Sequence, residues 1–321
     1  MNAWKRNFII GLVSVFLSLL LLEGGLRLLT RFRPIYDLEM TRYALELKIL
    51  APNPEIGFTH RPNAEGHFMG VQLKTNNRGW RERQNYAANI PTDKKRLIHL
   101  GDSVTLGWGV PEEKTYARLL EGPRLESLNF GHGNFNAVQI AAYYALQSET
   151  VAADAVIYHL SINDAEVTSP EVLQGPSIFD HSLLLVLVWS KLRILLPDTL
   201  GVEDDYQTYY RKLYSEGEGW QREQAAILRM KEIADKHGTA FGVALIPELH
   251  APADYPFIQE TKMITDFLTA HNIPYLDPRP RIAQVQNPYS LWVAADDAHP
   301  NAEAHRILAE GLGPFVLELL R

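Results

Sequence analysis

The chain contains no cysteine. That absence excludes disulfides, thiolate nucleophiles, cysteine-ligated zinc and iron–sulfur clusters. It does not fix the compartment, because a cysteine-free chain survives on either side of a membrane. Basic charge is also scarce: 31 Lys and Arg stand against 38 Asp and Glu, a net charge of −7. Residues 1–34 hold Lys5, Arg6, Arg27, Arg31 and Arg33 against Glu23, a net of +4, so the remainder carries −11. An acidic body lacks the basic face that nucleic acid requires, and nucleic acid is not an expected partner. Internal repeats and low-complexity tracts are missing, which excludes solenoids and linkers of biased composition. At 46% hydrophobic and 21% charged, the 321 residues have ordinary globular usage, which is not that of a disordered, collagen-like or polytopic membrane chain.

One long apolar run is present. Phe8–Leu22 (FIIGLVSVFLSLLLL) has no charge, and the apolar character continues to Leu29, broken only by Glu23 and Arg27. A spanning helix needs about 20 mostly apolar residues, and the two charges would snorkel at the interface. No small-residue cleavage site follows, which argues against a removed signal peptide. The run is apolar on all faces and stands alone, which argues against a core helix. The expectation is an uncleaved signal anchor in 1–34, with the membrane as partner. Basic residues flank both ends, so charge counting does not orient it.

Residues 35–93 are rich in Pro, Gly and Asn and contain short alternating stretches such as His67–Lys74. They read as a lead-in of turns with a small hairpin. From 94 onward, short apolar runs alternate with helical segments. Strands are expected at Arg96–Leu100, Glu126–Phe130, Ala155–Ser161, Ala240–Ile246 and Pro274–Leu276. Helices are expected at Thr115–Glu121, Asn136–Glu149 (with Asn136 as N-cap), Gly219–His237, Pro256–His271 and Ala302–Leu320. This alternation implies a parallel sheet covered by helices on both faces. Residues 165–217 form an insertion containing Leu183–Trp189 (LLLVLVW), too short to span a bilayer. The leading expectation is a buried helix; the alternative is a lid, or a surface resting on a membrane or an acyl chain.

Open parallel sheets bind ligands beyond the carboxyl ends of their strands. Those ends deliver Gly101-Asp102-Ser103, then Asn129 to Asn134 including His132, then Ser161-Ile162-Asn163-Asp164, then Asp296-Asp297-Ala298-His299. A serine, a histidine and a carboxylate at one rim are the ingredients of acyl transfer. Ser103 is the candidate nucleophile and His299 the candidate base. Asp296, three residues before His299, is the candidate orienter of the imidazole; Asp297 is its rival. Asn163 can donate its side-chain amide to an oxyanion, together with the backbone N–H of Ser103 and of Gly133 or Asn134. Taken singly, Ser103 reads equally as a helix N-cap and Asn163-Asp164 as a turn. His132, Glu248 and His250 follow strands and are candidates for substrate contact, though loop roles fit them equally well.

Four blocks in this order, Gly101-Asp102-Ser103, Gly133-Asn134, Asn163-Asp164 and Asp296-x-x-His299, resemble those of the SGNH hydrolase superfamily, the GDSL esterases and lipases. The resemblance covers about 94–313, and Asn76-Asn77-Arg78-Gly79-Trp80-Arg81 is similar to the segment preceding the first block in bacterial membrane-anchored members. It implies a flavodoxin-like three-layer α/β/α sandwich with a five-stranded parallel sheet, and a hydrolase domain over 94–321. It also implies a Ser–His–Asp triad, ester hydrolysis without metal or cofactor, and a catalytic domain outside the cytoplasm. There are two departures. Ser161 stands where the third block usually has glycine, and either Gly133 or Asn134 occupies the glycine position of the second block. The expected activity is removal of acyl groups, O-acetyl among them, from a carbohydrate or lipid ester. An O-acetyltransferase using the same triad and a catalytically silent glycan-binding subunit are the alternatives. A metal hydrolase on Asp102, Asp164, Asp296 and His299 is more remote.

Overall fold

A computed structural model describes residues 3–167, 178–195, 205–251 and 254–321. In chain order the main elements are helix α1 (Ala3–Leu29), strand β1 (Lys95–Gly101), strand β2 (Leu125–Asn129), helix α2 (Ala137–Ser148), strand β3 (Ala155–Leu160), helix α3 (Leu183–Leu195), helix α4 (Gly219–Lys236), strand β4 (Ala240–Leu245), helix α5 (Ile258–Ala270), strand β5 (Tyr275–Leu276) and helix α6 (Ala302–Leu319). The chain divides into two compact units. One comprises 1–46, 68–70 and 176–203, the other 47–67, 71–175 and 204–321.

The larger unit is built on a five-stranded parallel sheet with the order β2-β1-β3-β4-β5. This is the flavodoxin-like doubly wound order, with its switch point beside β1, where strand order reverses and a crevice opens. The central strands are mostly apolar because both faces are covered, with buried polar side chains such as His99, Ser127 and His159 set among the apolar ones. On one face Ile98, Leu100, Leu128, Val156 and Tyr158 pack against Ile140 and Tyr144 of α2, Ile227 and Met230 of α4, and Ile264 and Leu268 of α5. On the other, Leu97, Ala155, Ile157 and Ala244 pack against Leu308, Leu312, Phe315 and Val316 of α6. Neighbours along a strand thus alternate between the two layers. Each fully buried Leu, Ile or Phe contributes about 1.5–3 kcal/mol. Asn136 caps α2 as expected, accepting from Gln139 N, with the Gln139 side chain accepting from Asn136 N in return. In the lead-in, Lys48–Leu50 pairs antiparallel with Phe58–His60, and Glu65–Phe68 lies beside Val71–Lys74 in a two-stranded sheet.

In the smaller unit, α1 is long and apolar enough to cross a membrane, with a mean hydropathy of 2.2 and none of its apolar window buried. Helix α3 touches α1. The expectation of a buried helix at Leu183–Trp189 is corrected here: Leu183 is buried, but Leu185, Val188, Trp189 and Leu192 are 37% to 55% exposed. The run is apolar on every face, so it carries no stripe from which sequence could tell a buried side from an open one. Residues 168–177 and 196–204 of the insertion lie outside the described residues.

Candidate active site

Strand β1 ends at Gly101, and the chain turns at Asp102 into the short helix Ser103–Leu106. Asp102 caps it, its Oδ1 accepting from Val104 N at 2.9 Å. Sterics fix the turn. A Cβ at Gly131 would come within 2.1 Å of Leu106 N, and one at Gly101 within 2.1 Å of Thr105 Oγ1. Glycine alone lets the end of β2 press against the helix carrying Ser103. Asn129 completes the joint, its Nδ2 donating to Thr105 O at 2.7 Å and its Oδ1 accepting from Gly131 N at 2.9 Å. From the lead-in, the buried Arg81 guanidinium donates to the carbonyls of Leu106, Gly107 and Val110, tying down the end of the short helix and the loop that follows it.

The candidate base, His299, arrives on a different element. Asp297–Pro300 is a strand paired antiparallel with Trp292–Ala294. His299 Nε2 lies 2.8 Å from Ser103 Oγ across 196 positions of sequence. Its Nδ1 lies 2.5 Å from Asp297 Oδ1. With the Nδ1 proton held by Asp297, Nε2 is the acceptor and the Ser103 hydroxyl donates to it. The orienting carboxylate is thus Asp297 and not Asp296. The expected i, i+3 spacing suits a helical turn, but these residues form a strand, where i and i+2 share a face. Asp296 lies in the exposed turn before that strand.

Asp297 is almost fully buried and also accepts from His299 N at 3.1 Å and Trp108 Nε1 at 3.0 Å. Burial pushes its carboxyl up, but the hydrogen bonds and charge of His299 and the Trp108 indole outweigh burial and hold it below the ordinary value. Trp108, Arg81 and Asn129 were not singled out from sequence for these roles. Arg81 closes the Asn76–Arg81 segment, Asn129 opens the Asn129–Asn134 stretch and Trp108 follows Ser103 by five positions, but nothing in those spacings points the guanidinium at the helix end, the amide at Thr105 or the indole at Asp297.

The third strand ends in a 3-10 turn, Ile162–Ala165. Asp164 anchors it, Oδ2 accepting from Tyr158 Oη at 2.6 Å and Ser161 N at 3.0 Å. This presents Asn163, whose Nδ2 donates to Asp102 Oδ2 at 3.1 Å. Burial pushes the Asp102 carboxyl up, opposed by hydrogen bonds from Asn163 and Val104 and by the charge of His299. Ser161 has ordinary extended backbone (φ −107°, ψ 153°), so this position makes no demand for glycine. In the second block the left-handed residue is Asn134, at φ 67°, and Gly133 is not in that region. The Asn134 side chain accepts from Lys48 Nζ at 2.8 Å.

Of the three candidates for substrate contact, two are brought near the His299 strand. Glu248 accepts from both the backbone N and the Nδ1 of His250. The His250 ring lies 4.8 Å from Tyr206 and 5.6 Å from Trp292, which is paired with Pro300. His250 is held above its ordinary value by its hydrogen bond to Glu248, with the charges of Glu248 and Asp297 adding to it against partial burial. His132 is corrected to a core residue. It is fully buried, stacked at 4.0 Å on His60 and 4.5 Å on Phe135, with Nδ1 3.0 Å from Phe130 O. Burial depresses it to about 3.

No family model matches this chain, and no curated protein does. Among solved structures, the chain is similar to a GDSL-like lipase from Bacteroides thetaiotaomicron, at 14% identity over 73% of this chain and 92% of the lipase, with a TM-score of 0.42. An acetylxylan esterase from Geobacillus stearothermophilus, in a catalytic mutant form, is 16% identical over 70% of this chain and 94% of its own, with a TM-score of 0.43. A psychrotrophic esterase from a Pseudoalteromonas species is 13% identical over 71% of this chain and 99% of its own, with a TM-score of 0.41.

Proposed function

We propose that this chain is a membrane-anchored serine ester hydrolase of the SGNH type, acting through Ser103, His299 and Asp297. The observation that carries the reading is the unbroken relay from Ser103 Oγ to His299 Nε2 at 2.8 Å and from His299 Nδ1 to Asp297 at 2.5 Å. Ser103 Oγ attacks the ester carbonyl carbon while His299 takes the hydroxyl proton. The oxyanion that forms is met by the Ser103 N–H, an Asn163 amide N–H and a backbone N–H of the 133–134 turn. Collapse breaks the bond to the alcohol oxygen, which leaves with the proton from His299. Water, deprotonated by the same imidazole, then releases the carboxylic acid from Ser103. No step calls for a metal or cofactor.

The substrate is read as an acyl ester of a carbohydrate or lipid, O-acetyl esters included, with the hydrolase unit outside the cytoplasm. Ser103→Ala should abolish p-nitrophenyl acetate turnover and leave the circular dichroism spectrum unchanged. A membrane-impermeant fluorophosphonate applied to intact spheroplasts should label the wild type and spare the variant. Full turnover by Ser103→Ala would overturn the mechanism, and labelling only after lysis would reverse the orientation.

A further inference from the structure

We propose that the lead-in strand pair Lys48–Leu50 and Phe58–His60 clamps the turn at 132–135, and that Lys48 is a positioning residue holding Asn134 left-handed, so that the Asn134 N–H faces the oxyanion. The inference deepens the hydrolase reading and rests on it, since that reading draws one oxyanion donor from this turn.

The first observation is the form of the turn. Phe135 N donates to His132 O at 3.3 Å, and of the two residues between them only Asn134 has a positive φ, 67°. This is the type II pattern, which needs a left-handed third residue. Glycine takes that backbone freely, whereas another residue relaxes toward type I unless something opposes it. The two forms differ by a half-turn of the peptide between Gly133 and Asn134. Relaxation would therefore turn the Asn134 N–H to the opposite side and remove a donor from the oxyanion.

The second observation is how the turn is gripped. The two lead-in strands pair antiparallel, with Lys48 opposite His60. The His60 ring stacks on His132 at 4.0 Å, and Thr59 Oγ1 lies 3.3 Å from His132 Nε2. At the other end of the turn, the Phe58 ring lies 5.2 Å from that of Phe135. Between these two holds, Lys48 Nζ donates to Asn134 Oδ1 at 2.8 Å.

The third observation is that the amine is itself held. Lys48 Nζ sits 3.9 Å from the centroid of the Phe58 ring, a cation–π contact within the same strand pair. Desolvation lowers Lys48 to about 7, and charged or neutral it keeps N–H donors for the amide oxygen. The peptide half-turn would redirect the Cα–Cβ bond of Asn134 and carry its amide away from Nζ. Breaking such a hydrogen bond costs an amount comparable to the penalty of left-handed backbone at a residue other than glycine. The contact is thus strong enough to decide the form of the turn.

The test is steady-state turnover of p-nitrophenyl acetate by full-length protein. Deleting an oxyanion donor costs about 10²–10³-fold, and Lys48→Met loosens one without deleting it, so kcat should fall about 10-fold with KM within about twofold. Adding Asn134→Gly to Lys48→Met should recover at least about fivefold of that loss, because glycine holds the turn unaided. Asn134→Ala, at an exposed position, should lose as much as Lys48→Met, and the two together no more than either alone. Full kcat in Lys48→Met or in Asn134→Ala would overturn the proposal, as would a Lys48→Met loss that Asn134→Gly does not relieve. Should Lys48→Met lose its native circular dichroism spectrum, Asn134→Ala decides by itself. Turnover retained in Ser103→Ala would remove the hydrolase reading as well, whereas an inactive Ser103→Ala beside a fully active Lys48→Met would remove this inference only.

Discussion

His299 and His132 both follow the carboxyl end of a strand in sequence, yet they occupy opposite chemical situations. His299 has a buried carboxylate on one ring nitrogen and a serine hydroxyl on the other. His132 is enclosed by rings, with the Phe130 carbonyl at Nδ1, the Thr59 hydroxyl at Nε2 and no carboxylate on either nitrogen. It belongs to a wider interior group: His99 bonds His159 at 2.8 Å and Ser127 at 2.8 Å, and the His305 ring stacks on Tyr116 at 4.9 Å. Burial depresses His99 and His305 to about 3 and lowers His60 and His159 as well. These interior imidazoles stay neutral and act as polar struts. What sets His299 apart from these struts is its carboxylate neighbour and its partial exposure, and being a histidine near a strand end does not supply either.

The largest test of that contrast removes the carboxylate. Asp297→Asn should keep the hydrogen-bonding shape but favour the wrong imidazole tautomer, lowering kcat by about 10³–10⁴-fold by analogy with serine protease triads. Steady-state kinetics on p-nitrophenyl acetate would read it. A milder break leaves Asp297 in place and deletes one donor to it. Trp108→Phe should reduce kcat about 10-fold with KM unchanged, because a hydrogen bond to a charged group contributes about 1.5–3 kcal/mol. Retained activity in that variant would show that the indole only fills space.

The interior side of the comparison is tested by His132→Phe, which should leave kcat within about threefold and instead alter how stability depends on pH. Folded His132 titrates near 3, below the roughly 6.5 of an unfolded chain. Between those values the unfolded state holds the extra proton, so the wild type loses stability as pH falls through this window. The stability gap between wild type and variant, from urea unfolding, should shrink by about 1.4 kcal/mol per pH unit below pH 6. A gap that stays constant would mean that His132 is open to protonation in the folded state. The smallest effect belongs to Asp296→Asn, whose turnover should stay within about twofold of wild type; a loss like that of Asp297→Asn would reverse the assignment of the two acids.

Much of this was legible in sequence. The five strands lie within a residue or two of the apolar runs, because a strand covered on both faces is mostly apolar, even where buried His99, Ser127 and His159 bond one another inside it. Ser103, Asn163 and His299 were visible because polar residues at strand ends stand out against such runs. Choosing between Asp296 and Asp297 required knowing whether the backbone around His299 was coiled or extended, and two adjacent acids carry no period. The placement of Arg81 and Trp108 depends on contacts across 25 and 189 positions respectively, which no local pattern encodes. The exposure of α3 was hidden for the opposite reason: a segment greasy on all sides declares what it avoids and not which way it faces.

The Asp297–Pro300 strand carries the proposed carboxylate and base two residues apart, so the geometry of that pair is written into a few bonds of local backbone. The distance from His299 to Ser103 is set only by how this strand docks beside the β1 turn. Heating that frays the docking would silence turnover while acid and base remain joined and the parallel sheet remains intact. Under the proposed mechanism, thermal inactivation would then run ahead of melting, and the working range would be bounded by one small strand and not by the core beneath it.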